Sequence, residues 1–121
     1  MQDYHNLVVW QRSVKLVDHV FDATQGFPRF SDGRLKDQSR NAAVSIALNI
    51  SEGCGRKGGA DFIKFLRQAM GSACELECAV ELSRNRGFME TPVSAKVLGL
   101  VIEVKKMLAG LMKSLGYDPY S

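Results

Sequence analysis

The chain has 121 residues, 45% of them hydrophobic and 24% charged, with a formal net charge of +3. That is one domain, residues 1–121, of ordinary globular composition, and no apolar run approaches the ~20 residues of a membrane-spanning helix. The mild charge excludes a dedicated polybasic arm, and three cysteines, an odd number, argue against a disulfide framework. The opening residues Met1-Gln2-Asp3-Tyr4-His5 have neither the basic region nor the apolar block of a signal peptide, so a cytoplasmic location is expected.

Leu7, Trp10, Val14, Val17 and Phe21 recur at heptad-like spacing and predict a first helix from Asn6 to Thr24, stopped by Gly26-Phe27-Pro28. A second helix starts near Ser31-Asp32-Gly33, where Ser31 or Asp32 can cap it. Its core stripe is Leu35, Ala42, Ile46, Ile50 and Gly53, and the small Ala43 and Ala47 alongside imply close approach to a neighbour. The same helix carries a row of mostly uncharged polar residues, Gln38, Asn41, Ser45, Asn49, Glu52 and Arg56, in steps of three and four. A solvated face would be built of Lys and Glu; this row predicts that something specific lies against it.

Gly53-Cys54-Gly55-Arg56-Lys57-Gly58-Gly59 must end that helix. It contains the letters of a dinucleotide fingerprint, but a helix precedes it where the fingerprint needs a strand. Lys57 is followed by Gly58, so the phosphate-loop pattern fails too. What remains is a hinge whose Arg56 and Lys57 can meet a phosphate beside the next helix start. The third helix begins near Gly59-Ala60-Asp61, lines up Phe62, Phe65, Leu66, Ala69, Ala73, Leu76 and Val80, and closes at Gly87. The fourth begins at Thr91-Pro92, a cap followed by proline at the first helical position, and stops at Gly116. Its core stripe reads Val97, Val101, Val104, Leu108, Leu111 and Leu115. With no sustained period-two alternation, the fold expected is all-α, an antiparallel up-down-up-down four-helix bundle.

Leu98, Ile102, Ala109 and Met112 form a second apolar stripe on the fourth helix, broken only by Lys105, and Val9, Leu16 and Val20 lie outside the expected stripe of the first. Apolar faces this wide predict a homo-oligomer, with Leu98, Ile102, Ala109, Met112, Val9 and Leu16 at the interface.

Chemistry finds little footing. No Glu-x-x-His pair of a di-iron bundle occurs, and no nucleophile sits in an elbow or triad pattern. Cys74 and Cys78 stand at i, i+4, but zinc wants four ligands and neither His5 nor His19 has a companion. All three cysteines therefore read as small packing residues, and no catalytic residue, metal or cofactor is expected. Charge is more telling by position: residues 29–67 hold eight bases and four acids, while the flanking segments are nearly balanced. Arg34, Lys36, Arg40, Arg56, Lys57, Lys64 and Arg67 are the candidate nucleic-acid contacts. A helix of about 22 residues separates its ends by roughly 33 Å, so Arg34, Lys36 and Arg40 fall at one end of the bundle and the other four at the opposite end.

The run from Gln38 to Arg56, with Phe62-Ile63-Lys64-Phe65-Leu66, Gly71-Ser72-Ala73-Cys74-Glu75-Leu76-Glu77 and the opening Leu7-Val8-Val9-Trp10-Gln11, resembles the four-helix-bundle family encoded in intervening sequences of bacterial 23S ribosomal RNA genes. That family is often labelled a ribosomal protein, and the accessory variability determinant of diversity-generating retroelements belongs to the same group. The resemblance implies a homopentamer and a non-enzymatic role tied to RNA or DNA, with a reverse-transcriptase partner in the retroelement branch. The chain departs from the pattern at Asn41, where a second Arg is frequent, and at Ser51, where Ala is usual. The competing expectation is a protein-interaction scaffold that binds no nucleic acid itself.

Overall fold

The computed structural model describes residues 3–28 and 33–120. Four helices, α1 (Val8–Thr24), α2 (Gly33–Cys54), α3 (Gly59–Asn85) and α4 (Thr91–Ser114), follow a single 3-10 turn at Tyr4–Asn6. Each helix packs on its two neighbours around the ring and not across the diagonal, the up-down-up-down arrangement. No described residue is in a strand. No helix is long and apolar enough to cross a membrane.

The helix ends follow local chemistry. Asp3 accepts from the His5 backbone N–H (3.0 Å) and caps the 3-10 turn, and the extended Leu7 separates that turn from α1. This is why α1 begins at Val8 and not at Asn6. Both α3 and α4 end in Schellman motifs. Phe88 N–H donates to Ser83 C=O and Gly87 N–H to Arg84 C=O; Tyr117 N–H donates to Met112 C=O and Gly116 N–H to Lys113 C=O. Gly87 and Gly116 hold φ of 77° and 87°, which an L side chain rarely adopts. The expected caps Ser31 and Asp32 lie outside the described residues.

The core runs the length of the bundle, through Leu16, Val20, Ile46, Ile50, Leu66, Leu76, Val80, Val97, Val101, Val104, Leu108 and Met112. The stripes expected on α2 and α3 are largely those buried. The stripe on α1 is not. Val9, Ser13, Leu16, Val20 and Thr24 face inward, while Trp10, Val14 and Val17 are only half-buried and Phe21 is 38% exposed. Val9 and Leu16 are thus core residues, not an oligomer surface.

The reason lies in the hydroxyls. Ser13 donates to Trp10 C=O at 2.7 Å and Thr24 to Val20 C=O at 2.8 Å, so both are satisfied within their own helix and cost little to bury. Ser39, Ser83 and Ser94 do the same. On α4 the buried face turns from Leu108 to Met112, with Ala109 beside it, leaving Leu111 half-buried and Leu115 exposed. Ala109 and Met112 therefore also belong to the core. Of the six residues expected at an oligomer interface, Ile102 is exposed (45%) and Leu98 half-buried.

The closest-knit pair is α2 with α3, as the small residues of α2 require. Ala42, Ala43 and Gly53 are buried on α2 and Ala69 and Ala73 on α3, and Gly53 lies tight against Phe62 and Phe65 in the first turns of α3. A Cβ on Gly53 would stand 2.9 Å from a Phe62 ring carbon and 3.0 Å from Phe65 Cβ. The ring can rotate away, but Phe65 Cβ moves only with its helix. Overpacking of about 1–3 kcal/mol then outweighs the helix-propensity gain of about 0.5–1 kcal/mol. Gly53→Ala is expected to lower the thermal midpoint by about 4 °C, read by circular dichroism.

Candidate nucleic-acid interface

The α2–α3 connection builds one end of the bundle. Gly55 N–H donates to Glu52 C=O and Arg56 N–H to Gly53 C=O, closing α2. Gly58, at φ 91°, then turns the chain into α3. No side chain caps α3, and Asp61 sits favourably in its first turn against the helix dipole. This hinge places Arg56, Lys57, Lys64 and Arg67 at one end, joined by Lys113 from the last turn of α4.

Aromatic rings interleave with these cations. The Arg56 guanidinium lies 4.9 Å from the Phe65 ring centre, and Lys64 Nζ 5.9 Å from the same ring. Arg67 stands over Tyr117 at 5.5 Å and Lys113 over Tyr120 at 5.7 Å. The α4 Schellman motif is what brings Tyr117 and Tyr120 back over the end of the bundle. Arg56 also pairs with Glu52 at 2.8 Å, an exposed i, i+4 contact that holds it weakly. Lys57 is exposed and makes no ion pair among the described residues.

Arg34 and Lys36 open α2 at the far end, so the seven basic candidates do not share a patch. Arg40 has a structural task. Its Nε donates to Thr24 Oγ1 (2.9 Å), its Nη2 donates to Phe21 C=O (3.1 Å), and its guanidinium covers the Phe21 ring at 4.4 Å. It serves the Phe21 carbonyl, which Thr24 Oγ1 reaches only at 3.4 Å, and the negative dipole end of α1, whose own last turn holds no basic residue.

The polar row on α2 faces both α3 and a groove. Ser45 and Ser72 share a hydrogen bond of 2.7 Å across the seam, and Asn49 Nδ2 donates to Ser45 C=O (2.9 Å) and Oγ (3.0 Å). Ser45 and Asn49 also line, with Asn41 and Glu52 of the same row, an open groove of about 500 Å³ that runs from Phe21 and Arg40 to Phe65. Leu48, 62% exposed, lies in it. Sequence reasoning missed Leu48 because it is flanked by residues of both the core and the polar row.

The far end is sealed by Phe27, whose ring meets Phe88 at 5.7 Å, and by the buried Met89. Of these, Phe27 reads in sequence only as part of a helix stop. Cys54 packs as expected, and burial pushes its thiol pKa up. Cys74 and Cys78 do not: both are exposed on α3, which corrects the expectation that all three are packing residues. Among the described residues no three His, Cys, Asp or Glu side chains stand together as a metal site.

The family model of the 23S rRNA-intervening sequence protein matches residues 5–110. The chain belongs to that family. A crystal structure of a protein of unknown function from the S23 ribosomal protein family of Bacteroides thetaiotaomicron VPI-5482 has the same fold. Its TM-score is 0.81 at 23% identity, over 88% of this chain and 99% of that one. No curated protein matches this sequence.

Proposed function

We propose that this intervening-sequence family member is a non-enzymatic, self-associating bundle that binds structured RNA or DNA through the phosphate backbone. The contacts are Arg56, Lys57, Lys64 and Arg67 at the α2–α3 hinge. The observation that carries the reading is the convergence of these four cations with Lys113 at one end, with Lys57 making no ion pair among the described residues and Arg56 held by the exposed Glu52 and the Phe65 ring. Arg40 is removed from the set by its bonds to α1. We take the assembly to be the homopentamer that the family resemblance implies, so that five copies of a chain of net charge +3 would carry +15 around one axis. Leu98 and Ile102 are what remains of the expected contact surface.

Two measurements test this. Fluorescence anisotropy of a labelled RNA hairpin is expected to show micromolar binding that weakens steeply with salt and discriminates little between sequences. Binding that is absent at 50 mM salt, or indifferent to salt, defeats the reading. Light scattering is expected to report a mass several times that of one chain, reduced by Ile102→Glu.

The exposed Leu48 in the α2 groove favours a second reading, an interaction scaffold for a partner protein such as a reverse transcriptase. There Asn49→Lys abolishes docking while Lys57→Glu leaves it intact; the reverse pattern supports the nucleic-acid reading.

A further inference from the structure

Cys74 and Cys78 occupy successive turns of α3 on a face open to solvent, whereas Cys54 is 2% exposed in the core. An exposed thiol pair is not explained by packing. Side chains at i, i+4 carry Cβ atoms about 5–6 Å apart. A disulfide needs about 3.5–4.5 Å, so these two thiols cannot close on each other without unwinding the helix. A bridging atom removes that conflict, because it lengthens the span between the sulfurs.

The ligand set narrows which atom. Among the described residues no third His, Cys, Asp or Glu completes a cluster, so the four-ligand shell of zinc is not supplied. Thiolate ligands favour copper(I), zinc and iron–sulfur clusters, and of these copper(I), soft and monovalent, is the one that two thiolates alone suit. The neighbouring helix adds an ion pair. Lys105 of α4 donates to Glu77 Oε1 at 2.8 Å.

We propose that Cys74 and Cys78 form a two-thiolate site for one copper(I) ion on the outer face of α3. Binding forms two Cu–S bonds and releases one proton from each thiol. The copper enters and stays as copper(I), so no oxidant or reductant takes part. The bis-thiolate complex carries one negative charge, and the Glu77–Lys105 pair is neutral. The site is independent of the hinge cations and of nucleic-acid binding.

The test is a titration of the reduced, full-length protein with copper(I) under anaerobic conditions, in competition with bicinchoninate, in weak buffer with a pH indicator. One ion per chain and two protons released per ion are expected. The second sulfur acts at the high effective concentration of a tethered ligand, so Cys74→Ser and Cys78→Ser should each weaken binding by about a hundredfold. Both positions are exposed, and circular dichroism should show either variant fully helical. Cys54→Ala is expected to bind like the parent. The proposal is overturned if the parent fails to compete with bicinchoninate, if either serine variant keeps full affinity, if one ion binds per two chains, or if Cys54→Ala loses the ion.

Discussion

Leu16→Ala is expected to lower the unfolding free energy by about 2–5 kcal/mol, among the largest single-residue losses in the molecule. Leu16 is 0% exposed, sits mid-way along α1, and is enclosed by the chain's own core. Truncation removes three heavy atoms of buried surface and leaves a void that rigid helices on either side can only partly fill. With a urea slope of about 1–3 kcal/mol per molar, the unfolding midpoint falls by about 2 M. The outcome distinguishes two geometries. A core role predicts that the midpoint drops at every protein concentration while the light-scattering mass of the folded protein is unchanged. An interface role predicts the opposite, a smaller mass with the subunit's own stability retained. If Leu16→Ala dissociates the assembly and leaves the urea midpoint in place, the inward orientation of α1 is wrong. Ile102→Glu, on the exposed side of α4, is the paired control and should change mass alone.

The reversal of α1 shows where periodicity stops being informative. Glycine and proline set the four helices and their order, because Gly87, Gly116 and Pro92 act locally and leave a local mark. Which face turns inward is decided by neighbours. The apolar row Leu7-Trp10-Val14-Val17-Phe21 is more hydrophobic than Val9-Ser13-Leu16-Val20-Thr24, yet the second is buried. Serine and threonine count as polar in a pattern and as small, self-satisfied groups in a core. The small Ser13 and Ser39 are fully buried, an accommodation that large side chains cannot offer. On α2 the same logic worked in the sequence's favour, since Ala42, Ala43 and Gly53 are small and unambiguous. The site was legible only in part. That Arg34 and Lys36 part from Arg56 and Lys57 follows from helix length alone. That Arg40 bonds to the end of α1 does not, because Thr24 and Phe21 are 16 and 19 residues away in sequence. Tyr117 and Tyr120 likewise join the hinge cations only through the turn at Gly116.

The second large effect is expected from reversing charge at the hinge. Lys57→Glu with Arg67→Glu should weaken RNA binding at 50 mM salt by more than tenfold. It should also flatten the dependence of log affinity on log salt by about one unit for each phosphate that is no longer neutralised. Lys57 is unpaired among the described residues and Arg67 is held only by the Tyr117 ring, so neither change breaks an ion pair or uncovers the core. Stability should therefore shift by less than about 0.5 kcal/mol. The comparison that gives the experiment its force is Arg34→Glu with Lys36→Glu, the same charge change at the other end of α2. If binding is read from net charge alone, both pairs weaken it equally. If it is read at the hinge, only the first pair does, and the far-end pair keeps the parental salt slope. Arg40→Ala separates a third case, because its guanidinium serves α1. It should cost about 1 kcal/mol of stability through the missing capping bonds, with little change in salt slope. A far-end pair that abolishes binding while the hinge pair spares it would move the polyanion to Arg34 and Lys36 and leave the aromatic-lined hinge to some other partner.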